Sequence, residues 1–287
     1  MKTLATLSGL TLLLALGACG GQEAEPETPD ADAPAEAPEQ PATPDLPDLD
    51  AAKLKADAGG DIMVPSPIET QKALEKAGIE TSLASLVPTH SFDMEKADTD
   101  HAAIRTGVVL ADAMLTVKTA EKDALISRLD GITKGMEQLG GGEDIAKMLA
   151  DLTDQVKSDG ISRQELLQEF EDLSGAAIPE LEFNGNVRIV PLIQAGSWLE
   201  GANLVSKAIA DTDDPAKADA LLKQPAVVDY FSDYVKTEGA EKAPEAVTKK
   251  LEESLNTLKG LAEKAEPFTK EDLTKVSAVT GDVLGLL

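Results

Sequence analysis

The sequence predicts an all-α body, a multi-helix bundle or irregular helical array, standing behind a signal peptide and a disordered acidic linker. Three observations predict it. Ala, Leu, Glu and Lys dominate residues 62–287, and apolar residues recur there at steps of three and four. Ser and Thr stand three residues before acids at several segment starts, with Pro or Gly at the breaks. No segment combines strand alternation with hairpin turns, and no fixed-period repeat is present.

The chain of 287 residues reads as three parts. Residues 1–18 have the form of an export leader, with Lys2 as its positive start and an apolar run from Leu4 to Leu16. That run is too short for a permanent span, which needs about 20 residues. It ends in Leu16-Gly17-Ala18-Cys19, which resembles the lipobox of bacterial lipoproteins. The resemblance implies that Cys19 is diacylglycerated, becomes the first residue after cleavage, and is acylated at its new amine. One acyl chain holds a protein only marginally, whereas two or three hold it stably. Cys19 is the only cysteine, so the fold is expected to stand on packing without disulfides. Gly20 follows where aspartate favours inner-membrane retention in some bacteria, which directs the expectation to the outer membrane.

Residues 19–61 carry the lipid-bearing cysteine and a tether. From Gly20 to Asp61 there are 12 acids, two lysines, seven prolines and no aromatic residue. Such a segment buries too little apolar surface to offset chain entropy. As a flexible coil it spans on the order of 36 Å, and more when proline and like charge extend it.

Residues 62–287 suffice for one domain with a sizeable core, or two small ones. Its elements follow in order. In "VPSPIETQKALEKAG" Ser66 is an N-cap, Pro67 suits the first helical position, Glu69 completes a capping box, and Gly78 ends the helix. A long helix is expected from Asp98 to Thr119 and another from Glu121 to Leu139, broken by three glycines. A short helix covers Glu143 to Lys157. Ser162 and Glu165 open one ending near Leu173, and Asn184-Gly185 makes a turn. Arg188 to Ile209 is the next helix, with Pro191 in its first turn. Asp214-Pro215 starts another, with Asp214 as its cap. Pro225 begins one that reaches Lys236, Pro244 a long amphipathic one, and Thr269 with Asp272 caps the last.

The helix from Arg188 carries "QAGSWLEGAN" and the only tryptophan. Ile193, Ser197, Gly201, Leu204 and Ala208 share one face, smallest at the middle. Leu192, Leu199, Ala202, Val205 and Ile209 fill neighbouring angles, so the helix is expected to be central and buried. Each glycine costs about 1 kcal/mol of helix propensity against alanine. Close packing at Gly196 and Gly201, or a ligand against the backbone, offsets that. Gln194, Ser197, Glu200, Asn203 and Lys207 form a polar strip. Facing water it is ordinary. Buried, Glu200 must be hydrogen-bonded, paired or protonated, and Trp198 and Glu200 become binding candidates.

Several chemistries are disfavoured. A net charge of −26 repels phosphate backbones, so no nucleic acid partner is expected. HExxH, G-x-S-x-G and G-x-x-x-x-G-K patterns are missing. Asp98, Asp100 and His101 read as an acidic helix start before a metal site, and His90 as a loop residue. "DTDDPAKADALL" lacks the glycine and terminal glutamate of a calcium loop. "GGGED" reads as a loop, because Glu143 and Asp144 already occupy the positive helix end. Tyr230 and Tyr234 share a helical face with Phe231 beside them, read as an interhelical contact before a binding platform. No catalytic residue, metal or cofactor is expected.

Pro65-Ser66-Pro67 with Glu69, followed by Gly196-x-Trp198-Leu199-Glu200-Gly201, resembles a family of uncharacterised all-helical bacterial lipoproteins. The resemblance covers about Val64 to Ile209. It implies an all-helical lipoprotein and brings no activity with it. Ser197 stands where that pattern has glycine, which implies a wider helix contact. The expected function is a membrane-anchored envelope lipoprotein, non-enzymatic, whose helical domain binds or scaffolds an envelope protein partner. Alternatives are a periplasmic carrier holding a small or lipid ligand between helices, or an enzyme with an acidic site near Glu200.

Overall fold

The computed structural model describes residues 64–79, 83–87, 92–185, 187–239 and 245–287. The chain divides into Met1–Pro44 and Asp45–Leu287, and every described residue lies in the second unit. The leader, Cys19, the tether and His90 lie outside the described residues.

The described residues are helical, with no strand among them. Helix α1 spans Pro67–Lys76. Its capping box forms as the sequence requires: the Ser66 amide donates to Glu69 Oε2 at 2.7 Å and the Glu69 amide to Ser66 Oγ at 3.2 Å. Helix α2 spans Thr99–Thr116, with Asp98 as its cap. Helix α3, Lys122–Leu139, ends at Gly140 in the left-handed conformation that a side chain would resist. Helix α4 is Gly142–Lys157, so the third glycine opens a helix and is not a loop residue.

Helix α5, Arg163–Phe183, departs from expectation by running well past Leu173 with Pro179 inside it. Leu173, Ala177 and Leu181 recur every four residues and are buried, while Gly175 and Pro179 face outward. Water can satisfy the Gly175 carbonyl that Pro179 leaves unbonded, and core packing overrides the proline.

Helix α6, Val190–Ala210, follows a 3₁₀ turn at Val187–Ile189. The predicted helix after Asp214 is instead a 3₁₀ turn, Pro215–Ala218, running into the short α7, Asp219–Leu222. Asp214 makes no capping hydrogen bond with its side chain. Asp219 does the local anchoring, accepting from the Phe268 amide at 2.8 Å. Helix α8, Pro225–Tyr234, stops short of Lys236 and passes into a π turn at Val235–Gly239. Helices α9, Glu245–Ala262, and α10, Lys270–Leu284, complete the order.

Two apolar clusters make the core. One gathers α3, α4 and α5 with residues of α2; the other gathers α1, α8, α9 and α10 with residues of α6. Helices α2 and α6 contribute to both and form the most extensive pairing in the fold. Gly107 meets Ile193 and Ser197, and Leu115 lies over Gly201, so contact positions rise together and the two helices run parallel. No helix among the described residues is long and apolar enough to cross a membrane.

Candidate functional site

The expectation of a central helix holds: 16 of the 21 residues of α6 are buried. Its polar strip turns inward at the middle, where Ser197, Glu200 and Asn203 are buried, and only its ends at Gln194 and Lys207 reach the surface. The tight contact sits at Gly196. A Cβ there would stand 2.0 Å from the Ile104 carbonyl oxygen, and one on Gly107 would stand 2.0 Å from that of Ile193. Two facing glycines thus let the backbones of α2 and α6 touch. Gly201 has no such role, because a Cβ there would meet only Leu115 Cδ1, at 4.0 Å. Ser197 does not widen the contact either. Its hydroxyl donates to the Gly107 carbonyl at 2.9 Å and bridges the same close approach.

Glu200 is wholly buried and lies beside Asp112 of α2, carboxyl against carboxyl. Burial, and then the like charge of Glu200, push the Asp112 carboxyl well above the usual carboxylate range, while Arg128 of α3 opposes the shift. Burial in turn lowers the Arg128 guanidinium. Arg128 donates to Thr116 Oγ1 at 2.5 Å, and the Thr116 hydroxyl donates to the Asp112 carbonyl. Glu200 is therefore paired inside the helix interface. Asn203 plays a similar part toward α10, donating to the Ser277 carbonyl at 2.8 Å and to Thr280 Oγ1 at 3.0 Å.

Trp198 points elsewhere. Its indole N–H donates to Gln224 Oε1 at 3.1 Å, and its ring meets Phe231 at 5.6 Å between centroids. The same two rings wall a cavity of about 480 Å³, within the range of roughly 300–1,000 Å³ found for small-molecule pockets. Leu192, Ala195 and Leu199 of α6 line it with Leu251, Leu255 and Leu258 of α9, and Val283 and Leu286 close it from the C-terminal side. Ser254 is the polar group in its α9 wall. At one end stand Asp98, Asp100 and His101 of α2, with Arg188 and Tyr234. Asp98 and His101 are solvent-exposed, so the polar end is the end that meets water. Neither Asp112 nor Glu200 lines the cavity.

The charged groups at that end are paired with one another. Arg188 grips Asp100 through both guanidinium nitrogens, at 3.0 and 2.6 Å. The bond to Asp100 holds Arg188 above its ordinary range. His101 Nδ1 lies 2.7 Å from Asp98 Oδ2, and the amides of Asp100 and His101 donate to Asp98 Oδ1 at 3.1 and 3.0 Å. The His101 amide above all holds the Asp98 carboxyl below its usual range. Among the described residues no cluster of three or more metal-ligating side chains occurs.

The sequence candidates thus separate. Trp198 lines the cavity, Gly196 seats α2 against α6, Gly201 leaves room, and Glu200 is locked in the interface. Ser66, Pro67 and Glu69 cap α1 and do not line the cavity. Tyr230 and Tyr234 do not make one platform: Tyr230 packs in the second cluster against Phe231, and Tyr234 in the first, its hydroxyl donating to the Arg188 carbonyl at 3.2 Å. Sequence reasoning missed Arg188, Leu251 and Leu255 as site residues. The bonded pair Asp100–Arg188 is separated by 88 positions, and nothing local marks it. No family model, curated protein or solved structure matches this chain.

Proposed function

We propose that this chain is a lipid-anchored protein of the bacterial envelope whose helical body binds one amphipathic molecule between its helices, as a binder or carrier and without transforming it. The observation that carries the reading is the cavity of about 480 Å³ with apolar walls and one polar, water-facing end. A molecule with an apolar body and a polar head matches that gradient: the walls remove the body from water, and the head stays solvated. The exclusion of Glu200 from the cavity walls supports binding over catalysis, because it was the strongest acid candidate for chemistry. The lipobox-like Leu16-Gly17-Ala18-Cys19 and the long acidic segment after it support anchorage with reach.

The test uses the mature chain carrying Cys19→Ala, so that covalent lipid does not confuse the result. Purified without detergent, it is expected to release one non-covalent amphiphile per chain on organic extraction. Adding such a molecule back at a hundred times its Kd should stabilise the fold by about 2.7 kcal/mol. A chain that yields no ligand, and whose melting is unmoved by a panel of single-chain amphiphiles, would sink the proposal.

A further inference from the structure

We infer that the cavity selects an amphiphile with a cationic head and rejects one with a carboxylate head, an inference that deepens the ligand-binding reading above and rests on it. The polar end holds three kinds of group that ordinarily receive an anion: first-turn helix amides, a guanidinium and an imidazole. Each is already engaged by an anion of the chain itself. The Asp98 carboxylate takes the Asp100 and His101 amides and the His101 ring. Asp100 fills the fork of Arg188. Arg105, next along α2, is held by the main-chain oxygens of Leu287 and Asp93. An incoming carboxylate reaches only the Arg188 N–H groups that Asp100 leaves uncovered, and it must approach them past the charges of Asp98 and Asp100.

The balance of charge points the same way. Among the charged residues that line the cavity mouth Asp98 and Asp100 outnumber Arg188, with Arg105 outside the lining, on a chain whose net charge is −26. Asp98 and Asp100 keep their negative charge while bonded internally, and a quaternary head, which has no N–H to donate, is drawn by that charge alone. Below them the walls are Trp198, Phe231 and leucines, which suit a single apolar chain and give a second charge nowhere to sit.

The experiment compares three probes with the same dodecyl chain: the trimethylammonium, the maltoside and the carboxylate. Binding to the mature Cys19→Ala chain is measured below the micelle concentration, at one fixed pH for all probes and variants. Two further variants are compared. Ala195→Phe fills the cavity from α6, and Asp100→Asn frees the Arg188 fork at the surface, where folding is not at risk. The trimethylammonium probe is expected to bind at least about tenfold tighter than the carboxylate, to lose that binding in Ala195→Phe, and to lose its advantage in Asp100→Asn. Should Ala195→Phe fail to fold, the Asp100→Asn comparison decides alone. A carboxylate probe that binds as tightly as the ammonium overturns the head-group inference and leaves cavity binding standing. Equal ammonium binding in folded Ala195→Phe also overturns it, since that marks adsorption to an acidic surface. Failure of all three probes removes the ligand-binding reading itself.

Discussion

Gly196 and Gly201 stand on one helix a turn and a half apart, yet the structure asks opposite things of them. At Gly196 an added methyl meets backbone atoms, which cannot rotate away, so α2 and α6 must separate. Gly196→Ala is expected to destabilise the fold by about 2 kcal/mol or more. Gly201→Ala meets only an ordinary contact with Leu115 and gains up to about 1 kcal/mol of helix propensity. Urea unfolding of both variants checks the pair, and equal effects would contradict the close contact. The Asp112–Glu200 pair carries a pH signature. Because Asp112 binds its proton more tightly folded than unfolded, the stability this gives is complete below the unfolded value of about 4 and is lost as pH rises through the elevated folded value. One proton contributes a fall of at most about 1.4 kcal/mol per pH unit in that window. Asp112→Asn keeps the shape and cannot titrate, so its unfolding free energy should change less between pH 5 and pH 8 than that of the native chain. The same change in both proteins would show that Asp112 does not hold the extra proton.

At the scale of elements, most helix starts were legible and several ends were not. Starts depend on local chemistry: Ser66, Ser162 and Thr269 each cap the helix that the spacing to Glu69, Glu165 or Asp272 predicts. Ends depend on what lies beyond the chain's own neighbours. The α5 helix passes Gly175 and Pro179 because Ala177 and Leu181 are buried against other helices, information absent from a local window. Pro179 is therefore tolerated at a cost. Pro179→Ala restores the bond to the Gly175 carbonyl, and we expect it to stabilise the protein by about 1–3 kcal/mol, read as a raised urea midpoint. A lowered midpoint would mean that the proline packs favourably. The burial of α6 was visible in its apolar circumference, and Trp198 was visible as a candidate for its rarity. The cavity was not visible, because its opposite wall comes from α9, where Leu251 and Leu255 read as the apolar stripe of any amphipathic helix.

At the scale of the whole molecule, the proposal divides labour between an N-terminal attachment point and a binding body. Cys19→Ala is expected to move the protein from the membrane fraction to the soluble fraction. Membrane association that persists after a high-salt wash would contradict anchorage by lipid. The body itself has two cores held by one pair of parallel helices, keyed where Gly107 meets the backbone of Ile193 and Gly196 that of Ile104. That key makes the pair intolerant of a change in residue number. Deleting one residue between Gly107 and Asp112 leaves the glycines seated but turns everything after the deletion by about 100°. Asp112 then swings away from Glu200, and Leu115 away from its cluster. A change of length is therefore expected to be tolerated outside α2 and α6 and not within them, and the spine counts its residues as strictly as a screw thread counts its turns.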